Sequence, residues 1–322
     1  MQENQKSILL PKNDVVFKAL FSRGKPKITK AMLEAILNIK IDKLELDNST
    51  DLLNDNKDDK NGRLDLRAII NGDTECDIEV QLATHESMAE RFLYYWAKMY
   101  TANLKIGDDY KDLRKTICVI ILDDKFPQTE NITKPQTVWK IMEKEEQKLM
   151  LTDYLEIAII EVPKAVKEYK ENSKNELLQW MMFLDNPENK EVTQIMLENK
   201  DIKEAKEELE KISQDDILRR RALSRTLDIA DRIQFEEDAK NAKKALEEGL
   251  KKAKEEANKK LKVAEEAAKK AAKEAAKEAV KEEKSKIIIE MRKVNISIEQ
   301  ISQIVKLPET EIRKILGVDK VK

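Results

Sequence analysis

The chain has 322 residues, of which 41% are apolar and 39% charged, with a formal net charge of −2. The apolar share is ordinary, but the charged share is far above the usual quarter, so part of the chain carries charge without a core. The balanced charge excludes a protein that coats nucleic acid by bulk positive charge, although it is compatible with a local basic groove.

Residues 13 to 38, NDVVFKALFSRGKPKITKAMLEAILN, predict two helices. Phe17, Leu20 and Phe21 form one apolar stripe, Met32, Leu33, Ile36 and Leu37 another, and Pro26 stands at the break. KLELD at 43 to 47 is a short strand, followed by a polar loop. RLDLRAIINGDTECDIEVQL, residues 63 to 82, reads as a hairpin turning at Asn71-Gly72-Asp73. SMAERFLYYWAKMYTANL, 87 to 104, is a helix with an apolar face through Met88, Phe92, Tyr95, Trp96 and Met99. TICVIIL (116 to 122) and LEIAIIEVP (155 to 163) are unbroken apolar strands suited to the buried middle of a mixed sheet, with a helical excursion expected at 137 to 149. NELLQWMMFL (175 to 184) is a packed helix. Residues 193 to 233 are helical and more polar, with docking residues at Ile195, Met196, Leu209 and Ile212.

From 239 to 282 the chain is nearly all Ala, Lys and Glu. Small or apolar residues recur in steps of 3, 4 and 4 through Ala239, Ala242, Leu246, Leu250, Ala253, Ala257 and Leu261, an 11-residue period that keeps the stripe nearly straight. Two readings stay open: a slender oligomerisation stalk, or a long solvated helix held by propensity and Glu–Lys pairs. The last segment, 286 to 322, regains apolar periodicity. Ser297 and Gln300 match a capping box, and Leu307-Pro308 opens a further helix, which fits a helix-turn-helix or a small helical cap. The predicted divisions are therefore an α/β domain at 1–185, a helical connector at 186–235, the long helix at 236–285 and a small helical unit at 286–322.

No apolar run reaches the roughly 18 residues of a membrane span. One histidine and two cysteines cannot build a structural zinc site, so any metal here is hard and oxygen-bound. Cys76 and Cys118 lie in predicted strands, and no secretory signal opens the chain. Reduced, buried thiols in a cytoplasmic protein are expected.

The hairpin carries the chemistry. Side chains alternate along a strand, so Ile78, Val80 and Leu82 share one face while Asp77, Glu79 and Gln81 share the other. Asp65 and Glu79 are expected as near neighbours across the hairpin. Two carboxylates that close resist joint ionisation unless a cation lies between them. Oxygen donors of this kind suit Mg²⁺ or Mn²⁺. Asp77 is expected to be a polar edge residue one step further out.

The Asp…Glu-x-Gln arrangement resembles the PD-(D/E)xK nuclease motif, with Gln81 at the usual Lys position. KNDVVFKALF, GRLDLRAIINGDTECDIEVQ, ERFLYYWAKMYTANLKIGDDY and KTICVIIL follow in order. Together they resemble the recombination-promoting nuclease (Rpn)/transposase family over residues 8 to about 185. The resemblance implies a restriction-endonuclease-like α/β core, a mixed sheet flanked by helices, followed by an all-α tail. It implies a Mg²⁺-dependent DNA endonuclease with Asp65 and Glu79 as metal ligands and Gln81 as the family's variant of the catalytic Lys. Asp14 matches the family's DxxFK start and either completes the metal shell or caps the first helix. Arg91 matches the family's Arg in ERxxYY. Arg91 and Lys98 are expected to meet DNA phosphates, while the neighbouring tyrosines pack partly into the core. Glu34 and His85 are expected to be solvated. A reading of a different class also stands: a catalytically weak DNA-binding or scaffold protein that keeps the fold and oligomerises through 239–282.

Overall fold

A computed structural model describes residues 6–22, 26–46, 66–83, 87–102, 104 and 106–318. The chain divides into two compact units, Met1–Phe235 and Glu236–Lys322.

The first unit begins with α1 (Asp14–Ser22) and α2 (Pro26–Leu37). Pro26 takes the first position of α2, where its missing N–H removes no helical bond. Six strands then form one mixed sheet. They are β1 (Leu44–Leu46), β2 (Leu66–Ile70), β3 (Thr74–Gln81), β4 (Lys115–Leu122), β5 (Gln136–Trp139) and β6 (Leu155–Glu161), in the order β1-β2-β3-β4-β6-β5. The three central strands β3, β4 and β6 run parallel, and the remaining pairings are antiparallel. The hairpin turns where the sequence predicts. Asn71 and Gly72 adopt φ of 52° and 84°, the left-handed conformation that Asn and Gly adopt most readily, within the three-residue connection 71–73 closed by the pair Ile70–Thr74. The Asn71 side chain also accepts from the backbone N–H groups of Asp42 and Lys43, which ties the entry to β1 against the turn.

Helices cover both faces, which explains the unbroken apolar runs. In β4, Ile117, Val119 and Ile121 enter the core beneath α1 and α2, joined there by α4 (Val162–Tyr169) and α5 (Glu176–Asp185). Cys118, Ile120 and Leu122 enter a second cluster beneath α3 (Met88–Ala102). The expected helical excursion at 137–149 is instead the edge strand β5 followed by an isolated bridge between Met142 and Met150. Thr137, Val138 and Trp139 favour a pleated surface, and the open edge of β6 offers hydrogen bonds that an isolated helix would not replace.

Two further helices, α6 (Lys190–Glu198) and α7 (Lys200–Ile212), add Ile195 and Leu209 to the first core, with Met196 and Ile212 partly buried against it. The 78-residue helix α8 (Asp216–Lys293) follows. Its Leu218 and Ala222 are buried in the first unit, whereas residues 239–282 are exposed throughout. In the second unit the end of α8, α9 (Ile298–Val305) and α10 (Glu309–Leu316) enclose a small core of Ile288, Ile301 and Ile312. The Ser297–Gln300 capping box forms as predicted. Among the described residues no helix is long and apolar enough to cross a membrane.

Candidate active site

The alternation along β3 decides where its polar side chains go. Cys76, Ile78 and Val80 belong to the core beneath α1 and α2. Glu75, Asp77, Glu79 and Gln81 therefore line the opposite face, the one that α3 shares. Their register partners on β4 are Thr116, Cys118, Ile120 and Leu122. Glu75, Asp77 and Glu79 are 4%, 0% and 2% exposed. Asp77 is thus a buried residue and not the polar edge residue expected: the parallel strand β4 lies on one side and Arg67 of β2 is its register partner on the other.

Each described carboxylate of this column has a distinct setting. Glu75 accepts from Arg67 Nη2 at 3.0 Å, with Arg114 3.9 Å away. Glu79 Oε2 accepts from Gln81 Nε2 at 3.1 Å. Gln81 therefore gives the carboxylate a neutral donor where a lysine would bring charge. The Cys118 thiol is pushed well above its usual range, first by burial and then by Asp77, Cys76 and Glu79. Cys76 is raised by burial, then by Asp77 and Glu156. Both cysteines are free and buried.

Asp65 and His85 lie outside the described residues. The last described pair of the hairpin is Leu66 with Ile78, and these are the chain neighbours of Asp65 and Glu79. The Glu79 carboxylate and the Gln81 amide are hard oxygen donors, which fit Mg²⁺ or Mn²⁺ in kind. Among the described residues no group of three His, Cys, Asp or Glu side chains is placed to hold a metal ion.

Asp14 opens α1, which packs on the other face of the sheet from Glu79. Asn13 caps that helix, its Oδ1 accepting from Val15 N and Val16 N. The Asp14 carboxylate accepts from Arg225 Nε of α8 at 2.5 Å. Glu34, expected to be solvated, accepts from the backbone N–H of Ile41 at 2.7 Å and closes the turn after α2. Just before α1, Lys12 Nζ lies 2.9 Å from Asp123 and 3.1 Å from Asp185. Asp123 N donates to Gln81 O at 2.9 Å, so this anchor fixes the start of α1 to the carboxyl end of β3 and β4.

α3 runs antiparallel to β4. Phe92 packs against Phe126 beyond the end of β4, and Trp96 Nε1 donates to Thr116 O near its beginning. Arg91, in the first turn of α3, is therefore at the end of the sheet that Gln81 occupies. Its Nε donates to Tyr95 OH at 2.6 Å, and its guanidinium lies 5.1 Å from that ring's centre. Tyr95 is buried as expected, whereas Tyr94 and Lys98 are exposed.

The family profile of PD-(D/E)XK nuclease family transposases matches residues 11–239. The chain belongs to that family. The matched span runs from just before α1, through the whole sheet, into the first part of α8. The PD-(D/E)XK core of this family member is the mixed sheet flanked by helices, and a helical tail follows it. No curated protein and no solved structure matches the chain significantly.

Sequence reasoning missed two features of the region. The burial of Asp77 depends on β4 lying alongside, though its shared face with Glu79 was visible in the alternation. Arg225, 211 residues from Asp14, had no local signal.

Proposed function

We propose that this PD-(D/E)XK family member is a metal-dependent DNA endonuclease that hydrolyses phosphodiester bonds, acting in DNA recombination, mobile-element biology or defence. The observation that carries the reading is the bond from the partly exposed Gln81 amide to the buried Glu79 carboxylate on one face of β3, set in a chain that belongs to a nuclease family. Asp65 and Glu79 are the proposed metal ligands, with Asp14 a third if Arg225 releases it. A bound Mg²⁺ or Mn²⁺ would lower the pKa of its water and offset charge on the phosphodiester. Gln81 orients the Glu79 carboxylate and the attacking water through its amide. Arg91 and Lys98 hold backbone phosphates by charge and hydrogen bonds. The nuclease domain is assigned to 1–185, with 186–235 as its connector.

One observation favours the second reading, a catalytically weak DNA-binding scaffold that oligomerises through 239–282. Gln81 brings no positive charge to the phosphate or the nucleophile. The experiment that separates the two is DNA cleavage by purified protein with Mg²⁺ or Mn²⁺, with EDTA, and with Asp65→Ala. Metal-dependent cleavage that both EDTA and the substitution abolish, with circular dichroism unchanged, supports the nuclease. Equal cleavage by wild type and Asp65→Ala removes the site assignment. DNA binding without cleavage supports the scaffold.

A further inference from the structure

The far edge of the sheet carries a surface that the nuclease reading does not use. β5 is the last strand, and among the described residues no strand pairs with its outer side. Glu161 N donates to Pro135 O at 2.9 Å. Residues 135, 137 and 139 therefore face β6, and the backbone groups of Gln136 and Val138 point outward. The chain then folds back on itself beyond β5: Leu151 N donates to Ile141 O at 3.1 Å and Glu143 N to Leu149 O at 2.8 Å.

This edge is apolar. Val138, Trp139, Ile141, Leu149, Met150 and Leu151 are between 38% and 77% exposed. Together they present on the order of 600 Å² of side chain, close to the roughly 800 Å² that each partner of a standard interface contributes. A row of exposed apolar residues along an open strand edge invites pairing unless charge or proline guards it. Residues 138–151 contain Lys140, Lys144 and Lys148 against Glu143, Glu145 and Glu146, so the segment is neutral. A neutral surface has no pull on nucleic acid or an anionic membrane. It does suit a face that meets its own copy, where a net charge of either sign would repel itself and each Lys can meet a Glu of the partner.

We propose that this edge docks a second copy of the chain, β5 pairing antiparallel with β5 about a two-fold axis at Thr137. Gln136 then lies opposite the partner's Val138, and each folded-back segment at 141–151 extends alongside the stretch that leads into the partner's β5. The inference stands apart from the nuclease reading and from the stripe on α8.

The test is Val138→Cys in the full-length chain, treated with a short bismaleimide. Burial keeps the Cys76 and Cys118 thiols protonated, so the new thiol is the reactive one. The expected result is a covalently linked dimer as the main product. Adding Leu149→Lys and Leu151→Lys should cut that product by about tenfold or more, since burying even one uncompensated charge exceeds 1.4 kcal/mol, with the circular dichroism spectrum unchanged. A monomer by light scattering at high concentration overturns the proposal. So does linking that the charged variant leaves intact, or linking that an exposed thiol at Lys170→Cys reproduces equally.

Discussion

Arg225 of α8 donates its Nε–H to Asp14 Oδ2 at the start of α1, joining positions 211 residues apart. Around it, Asn13 Nδ2 donates to Ala222 O and Thr226 Oγ1, and Arg219 Nη1 donates to Ser7 O. The first turns of the long helix are thereby fastened to the segment that carries the family's DxxFK start.

That pair makes a prediction about metal binding. Arg225 is 43% exposed and Asp14 17%, so the ion pair itself is worth no more than about 1 kcal/mol. Arg225→Ala should lower Tm by only about 2–4 °C. If Asp14 completes the metal shell, removing its competing cation should raise Mn²⁺ affinity several-fold in calorimetry. Unchanged affinity removes Asp14 from the ligand set.

Gln81 separates fold from activity. It is partly exposed, and its described bond is to Glu79. Gln81→Ala should slow cleavage by roughly 10²–10³-fold, the range expected when one positioned donor is lost, while Tm stays within about 1 °C of wild type. Gln81→Lys should recover the rate, because an ammonium supplies both the bond and the charge. A Gln81→Ala enzyme as fast as wild type would show that the amide takes no part.

Glu161 marks the opposite case, a buried carboxylate whose work is structural. It is 1% exposed and accepts from Phe126 N at 2.9 Å, Thr129 Oγ1 at 2.7 Å and Lys164 Nζ at 2.6 Å. Glu161→Ala strands these donors, so it should cost about 3–5 kcal/mol in urea unfolding. Glu161→Gln keeps the acceptor and should cost less. A near-neutral Glu161→Ala would show that water replaces the carboxylate.

Lys12 gives a pH dependence. Burial lowers its pKa, but the bonds to Asp123 and Asp185 outweigh this and raise it above the ordinary 10.5. Asp123 moves upward as well, because burial outweighs its attraction to Lys12. The folded state thus holds the lysine proton more tightly than the unfolded chain does. The stability Lys12 contributes is fully present below 10.5 and is lost as pH rises through its higher folded value. Lys12→Met should be less stable than wild type at pH 7, and the gap should narrow in the alkaline range. A gap that widens with alkali would mean that another group controls this end of the sheet.

Much of this protein is determined by sequence alone. Local backbone chemistry sets the Asn71-Gly72 turn, the Ser297 cap, the break at Pro26 and the unbroken strands, and ordered motifs set the family. These depend on residues a few positions apart, where periodicity and turn preference act directly. Tertiary structure alone decided the rest. Thr137 to Trp139 became an edge strand because β6 offered an open hydrogen-bonding side. Asp77 became buried because a parallel neighbour arrived from 41 positions further on, at Cys118. Asp14 found its cation on a helix more than two hundred residues away. Burial and ion pairing depend on which chemistry long-range packing brings within a few ångströms, and no short stretch of the chain records that.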